Sequence, residues 1–121
     1  MPCFNLFTNV RLEEFDTSTV LFETTNSIYD IIGKPERYVM VVLKGSIPIS
    51  FDGTQQPAAY GELVSIGGLN SNVNKKLSAG IADILENNLS IPKSHLFLKF
   101  YDSKENQAQE YSQCLHALHQ Q

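Results

Sequence analysis

The stretch Tyr38-Val39-Met40-Val41-Val42-Leu43-Lys44 decides the fold, because a related stretch recurs later in the chain. It is an almost unbroken apolar run, which is typical of a β-strand covered on both faces. At an offset of 57 residues, Leu96-Phe97-Leu98 falls on Val39-Met40-Val41, and Pro92 falls on Pro35. The chain is therefore predicted to contain two similar units in tandem.

Each unit is predicted to run strand, helix, strand. In the first unit, Asp16 is a side chain suited to cap a helix amino terminus, and Gly33 is suited to end that helix. In the second unit, apolar residues recur at the spacing of one helix face. The predicted elements are a strand at Cys3–Val10, a helix at Thr17–Ile32, strands at Tyr38–Lys44 and Ala58–Ile66, a helix at Ser71–Leu89, and a strand at Leu96–Tyr101.

The two units are predicted to share one four-stranded sheet in an α/β (α+β) fold. A strand-helix-strand connection gives parallel pairing within a unit, and right-handed crossovers of this kind place both helices on the same face. The opposite face then has no cover within the chain, although its strands carry apolar residues. We therefore expect an oligomer in which this face meets another subunit.

Composition excludes several classes of protein. The chain has 121 residues, which fits one domain, and its net charge of −4 with no basic run argues against nucleic acid as a partner. No apolar segment approaches the ~20 residues that a membrane span needs, and no signal peptide is recognisable. Cys3 and Cys114 stand far apart, so we expect a reduced, cytoplasmic protein with no disulfide, no metal site and no cofactor.

Pro2, directly behind Met1, is the first candidate for chemistry. Removal of Met1 would leave a free secondary amine, which can act as a base or a nucleophile. An α-amino group titrates near pH ~8, and an apolar setting favours its uncharged form. A base that titrates near neutral pH suits general acid–base catalysis. The alternative reading of Met1-Pro2 is an ordinary processed terminus.

Several blocks in one register between residues 1 and 102 carry a family resemblance. They are Met1-Pro2-Cys3-Phe4, Thr8-Asn9-Val10, Gly33-Lys34-Pro35, Pro57-Ala58-Ala59-Tyr60, Ser65-Ile66-Gly67 and Phe100-Tyr101-Asp102. Together they resemble the macrophage migration inhibitory factor (MIF) family of the tautomerase superfamily, most closely its plant, D-dopachrome tautomerase-like members. The resemblance implies a homotrimer with a barrel-like core and a pocket between each pair of subunits. Residues 103–121 form a divergent, polar tail that we expect to be loosely ordered, although Tyr111, Leu115 and Leu118 have the spacing of a short helix.

The resemblance also implies a chemistry, the keto–enol tautomerisation of phenylpyruvate or dopachrome-type compounds. On this reading Pro2 is the catalytic base, Lys34 pairs with the substrate carboxylate, the Ile66 backbone orients a polar group, and Tyr38 lines the aromatic end of the pocket. Without the resemblance, Lys34 reads as a cation at a helix carboxyl end. Tyr38 and Ile66 then read as packing residues.

Two positions depart from the family pattern. Phe97 stands where the family usually has a tyrosine, and loss of one oxyanion donor can lower a rate by ~100-fold or more. Lys99 replaces the usual asparagine and adds a second cation. Both would weaken or shift the tautomerase activity. They leave open a second class of function, a cytokine-like or immunity-related protein that binds a receptor or another protein. Such a protein would act in the cytoplasm or after release without a signal peptide, and the chain ends without a peroxisomal signal.

Overall fold

The computed structural model describes residues 2–33, 38–103 and 109–113 of the chain. This part contains five strands, two helices and two short 3₁₀ turns at Leu12–Glu14 and Lys93–His95. Both helices have the predicted bounds, and the predicted strands differ from the observed ones by one or two residues at an end. In chain order the elements are β1 (Cys3–Thr8), α1 (Thr17–Ile32), β2 (Met40–Lys44), β3 (Ala59–Ser65), α2 (Ser71–Leu89), β4 (Leu96–Asp102) and β5 (Gln109–Gln113).

The strands form one mixed sheet in the order β2-β1-β3-β4-β5. Pairing is parallel within each predicted unit, between β1 and β2 and between β3 and β4. The two units meet where β1 and β3 run antiparallel, with Cys3 opposite Val64 and Thr8 opposite Ala59. The tandem β-α-β prediction is confirmed.

A fifth strand adds to the four that were predicted. Residues Gln109–Gln113 pair antiparallel with β4, with Gln113 opposite Phe97 and Gln109 opposite Tyr101. The short helix that the spacing in the tail suggested is wrong at Tyr111, which lies in this strand, while Leu115 and Leu118 lie outside the described residues. The physical reason is that β4 would otherwise leave a row of backbone groups unpaired at the sheet edge, and a following strand satisfies them.

Local capping sets the helix ends. The carboxylate of Asp16 accepts hydrogen bonds from the backbone N–H (3.2 Å) and hydroxyl (2.8 Å) of Thr19. These bonds hold the pKa of the Asp16 carboxyl below its ordinary value, the hydroxyl bond being the larger cause. Gly33 ends α1 with φ of 72°, a left-handed conformation that glycine adopts without strain. At α2 the side chain of Asn70 accepts from the backbone N–H of Val73 at 2.8 Å.

The core lies between the two helices and one face of the sheet. Alternate residues of the strands point into it, and α2 contributes Leu77, Ile81 and Leu85. A glycine is required at position 61, because a Cβ there would lie 2.7 Å from Cε1 of Phe4. No helix in the described segments is long and apolar enough to span a bilayer.

The sheet face opposite the helices, called the open face below, is covered by no helix among the described residues. Its central feature is a row of three aromatic rings on adjacent strands. The centroids of Phe7 and Tyr60 are 6.2 Å apart, and those of Tyr60 and Phe97 are 6.1 Å apart. The open face therefore carries apolar rings without a covering helix in the described part of the chain, as the repeat predicts.

Candidate active site

Pro2 is fixed at the start of an inner strand. It is buried, and its carbonyl oxygen accepts a hydrogen bond of 3.0 Å from the backbone N–H of Met40. The next residue, Cys3, pairs with Met40 of β2 on one side and with Val64 of β3 on the other. Most chain termini are poorly ordered unless a sheet or a helix ties them down. Here two neighbouring strands hold the position of the Pro2 nitrogen.

Exposed apolar side chains surround this end of the sheet. Tyr38 precedes β2 and Ile66 follows β3, and their side chains are 71% and 59% exposed. By strand register both lie beyond Cys3, one on either side of Pro2. Met40 and Val64 are exposed beside them. Exposed apolar groups next to the buried Pro2 are suited to a small aromatic ligand.

A braced turn carries the backbone of Ile66. The next two residues, Gly67 and Gly68, have φ of 81° and 88°, a region that glycine enters without strain. The backbone N–H of Gly67 donates to Oδ1 of Asp102 at 2.8 Å, and Oγ of Ser65 donates to the Gly67 carbonyl at 2.7 Å. Asp102 and Ser65 are both buried, so these bonds are shielded from water. They fix the direction in which the Ile66 backbone points.

Asp102 is the positioning residue that residue-by-residue sequence reasoning missed. Its partner Gly67 lies 35 residues away in sequence, so spacing alone gives no signal. The sequence signal that includes Asp102 is the block Phe100-Tyr101-Asp102, which contributed to the family resemblance. Ser65 precedes this turn and has a structural role, because its hydroxyl donates to the Gly67 carbonyl.

Phe97 and Lys99 lie on β4, away from Pro2 of the same chain. Asp102 pairs with Ser65 near the Pro2 end, whereas Phe97 pairs with Tyr60 toward the other end of the sheet. Five residues of strand separate Phe97 from Asp102, which is roughly 16 Å at 3.3 Å per residue, and Lys99 is about 10 Å from it. Within one chain the register therefore places Phe97 far from Pro2, whereas Lys99 lines the same hollow as Val64, the register partner of Cys3.

Several polar groups accompany the aromatic row on the open face. Nζ of Lys44 lies 6.0 Å from the ring centroid of Phe7, at the end of that row. The hydroxyl of Tyr60 donates to Oε2 of Glu62 at 2.7 Å, and Glu62 is the register partner of Lys99. A hollow of about 250 Å³ on this face is lined by Glu62, Leu63, Val64, Lys99 and Tyr101.

Two further predictions fall on other parts of the chain. Lys34, the predicted carboxylate partner, lies outside the described residues, just after Gly33. Cys3 is a free thiol, and its sulfur accepts a hydrogen bond of 3.8 Å from Nδ2 of Asn5. Within the described ranges, no three side chains of the metal-binding types cluster.

The structure thus combines two β-α-β units on one sheet with a proline buried at the start of the inner strand β1. A family model described as macrophage migration inhibitory factor (MIF) matches residues 1–111. The chain belongs to the MIF family, which confirms the family predicted from its sequence blocks.

Individual relatives agree with this assignment. A MIF homologue of Trichuris trichiura is 36% identical over 104 residues, which cover 86% of this chain and 90% of the homologue. A homologue of Trichinella spiralis is 37% identical over 100 residues, covering 83% and 87% of the two chains. The solved structure of the Trichinella spiralis factor superposes with a TM-score of 0.76 at 35% identity, covering 83% of this chain and 88% of that one. A homologue from Prochlorococcus marinus gives 0.75 at 29% identity, with coverage of 83% and 87%.

Proposed function

We propose that this protein is a tautomerase whose catalytic base is the amino-terminal nitrogen of Pro2. Its substrates would be small keto acids of the phenylpyruvate type or dopachrome-like compounds. The single observation that carries the proposal is the place of Pro2, which is buried and held between β2 and β3. Membership of the MIF family, in which tautomerase activity is general, supports it.

The chemistry needs Met1 to be removed, because only then is the Pro2 nitrogen a basic amine. The uncharged amine takes a proton from the carbon beside the substrate carbonyl, and electron density moves to the carbonyl oxygen. The resulting ammonium returns that proton to the oxygen, giving the enol, and the reverse sequence gives the ketone. Lys34 would hold the carboxylate as a point charge, while Tyr38 and the Ile66 backbone would orient the rest of the substrate.

We place the complete site between subunits of a homotrimer with a barrel-like core. Two facts support this assembly: the open face carries an aromatic row, and Phe97 and the backbone of Lys99 lie far along the sheet from Pro2 of the same chain. A neighbouring copy that docks on the open face would supply these side chains. MIF family proteins are typically homotrimers, and the similarity of this chain to the Trichinella spiralis factor supports such an assembly.

Phe97 and Lys99 would then change the activity. Phe97 offers a ring without a hydroxyl, so one donor to a developing oxyanion is lost. Lys99 adds a cation that attracts anionic substrates and lowers the pKa of a neighbouring ammonium, which favours the free base. We expect activity that is weak toward phenylpyruvate, or shifted toward substrates with more negative charge.

The same two residues favour a second candidate function. A pocket that lacks the usual hydroxyl and amide could persist in a protein that acts by binding a receptor or other partner. In that case the protein would be cytokine-like or immunity-related. It would act in the cytoplasm or after release from the cell.

The test is enol decay of phenylpyruvate and 4-hydroxyphenylpyruvate, followed by ultraviolet absorbance, on protein whose mass shows that Met1 is absent. Pro2→Ala should lower turnover by on the order of 100-fold or more, because the base is displaced and altered. Pro48→Ala is the matched control, since Pro48 is exposed in the loop after β2. Equal activity in Pro2→Ala and the unmodified protein would exclude the proline mechanism.

A double variant separates the two candidate functions. Phe97→Tyr with Lys99→Asn restores the family's usual side chains at both positions. Activity that appears only in this variant would mean that the pocket is built but has been altered for another ligand. Inactivity of both proteins would favour the binding function.

A further inference from the structure

The described residues leave six large apolar side chains exposed, and two of them have no place in the site above. Tyr38, Met40, Val64 and Ile66 surround Pro2, whereas Phe22 and Tyr29 lie on α1. Phe22 is 68% exposed, which is unusual for a phenylalanine on a helix that buries its other face. A contiguous apolar patch rimmed by polar groups marks interaction sites more often than single scattered residues do.

The two aromatic residues belong to a repeated pattern. Phe22-Glu23 and Tyr29-Asp30 are aromatic–acidic pairs seven residues apart. Seven residues of α-helix rise about 10.5 Å and turn nearly two full rotations, so the pairs lie one above the other. We call Phe22, Glu23, Tyr29 and Asp30 the aromatic–acidic stripe.

The stripe lies on the surface of α1 that turns away from the sheet. The buried residues of this helix are Val20, Thr24 and Ile28, which share the opposite side. On the flank of the stripe, Nδ2 of Asn88 in α2 donates to Oε1 of Glu23 at 2.8 Å. This bond orients the carboxylate before any partner arrives, which reduces the entropy lost on binding.

Charge on this helix has one sign. The sequence of α1 contains no lysine or arginine, and the cation nearest in sequence to Asp30 is Lys34, which follows the helix end and lies outside the described residues. A lysine or arginine placed over Phe22 or Tyr29 would meet an aromatic face and a neighbouring carboxylate together. A membrane rich in anionic lipid would be repelled by the same groups.

We infer that the aromatic–acidic stripe docks a basic amphipathic helix of another protein, one that carries an apolar residue and a lysine or arginine at seven-residue spacing. A partner helix with this spacing would stay aligned with the stripe, because α1 and the partner helix have the same rise per residue. A second copy of this chain fits poorly, because a two-fold contact of the stripe with itself sets acid against acid. The inference is independent of the tautomerase chemistry, because the stripe lies on the outer surface of α1 and none of its residues is proposed to contact the substrate.

The test uses a fluorescent synthetic helical peptide with leucine and lysine at seven-residue spacing, titrated with the full chain and followed by anisotropy. A matched peptide has glutamate at every lysine position. We expect the lysine peptide to bind, and its affinity should fall as salt rises. The combined variant Phe22→Ser with Tyr29→Ser should lower that affinity on the order of tenfold. The reversal of charge by Glu23→Lys with Asp30→Lys should exchange the preference between the two peptides.

A control separates local recognition from net charge. Glu13→Lys with Glu14→Lys changes the charge by the same amount at exposed positions outside the stripe, and it should preserve affinity within about twofold. Equal binding of both peptides, no effect of the stripe variants, or equal loss in the control would each overturn the inference. Sedimentation that shows the stripe variants dissociating an oligomer would also overturn it, because the occupant would then be a second copy.

Discussion

Replacing Asp102 with alanine tests whether the braced turn positions the site. Its carboxylate accepts a hydrogen bond of 2.8 Å from the backbone N–H of Gly67, and the Asp102 residue is only 6% exposed. Alanine leaves that N–H without its acceptor in a buried setting. The turn can then recover a partner only by moving, and it carries the backbone of Ile66 with it.

The structure sets the expected magnitude. A buried donor without a partner costs about 1–3 kcal/mol of unfolding free energy. For a chain of 121 residues, this corresponds to a fall in Tm of roughly 4–12 °C. If the turn shifts by about 1 Å, the kcat/KM of the proposed tautomerase falls by on the order of 100-fold. Asp102→Asn keeps a carbonyl oxygen that can accept from Gly67, so it should retain most of the stability and activity.

Thermal unfolding at one fixed protein concentration measures the stability effect, because assembly makes Tm depend on concentration. Enol decay of phenylpyruvate measures the effect on activity. Asp30→Ala removes an exposed carboxylate on α1 and serves as the control, with an expected change within about 0.5 kcal/mol. The reasoning is refuted if Asp102→Ala unfolds at the same temperature as the control and keeps full activity.

Three further predictions concern stability. Gly61→Ala should destabilise the protein by about 1–3 kcal/mol in urea unfolding, because its new Cβ would lie 2.7 Å from a ring carbon of buried Phe4; no loss would contradict the packing described. Gly80→Ala adds the same methyl but meets the hydroxyl of Ser27, which can rotate, so the helix propensity gain of about 1 kcal/mol should leave it neutral or more stable. Asp16, whose pKa is lowered on folding, contributes stability that is complete above its unfolded pKa of about 3.9 and is lost as pH falls through the folded value. As pH is lowered, the urea midpoint of Asp16→Asn should fall less steeply than that of the unmodified protein. Identical plots of urea midpoint against pH for the two proteins would exclude this contribution.

The sequence by itself determined the helices and the pairing of the units. The ends of α1 are set by Asp16 and Gly33, residues adjacent to the helix that they cap, so local chemistry was sufficient. The recurrence of Val39-Met40-Val41 as Leu96-Phe97-Leu98 predicted two like units and thus parallel pairing inside each. The sequence blocks in one register between residues 1 and 102 were sufficient to identify the family.

Only the tertiary structure decided what meets across strands. The bond between Asp102 and Gly67 joins residues 35 positions apart, and the separation of Phe97 from Pro2 follows from the register of three strands. The strand at Gln109–Gln113 forms because β4 offers it a free edge, whereas its own sequence had suggested a helix. Capping acts within one helical turn and can be read locally. Register and edge pairing depend on which distant backbone groups remain unpaired once the sheet has formed, and no local pattern records that.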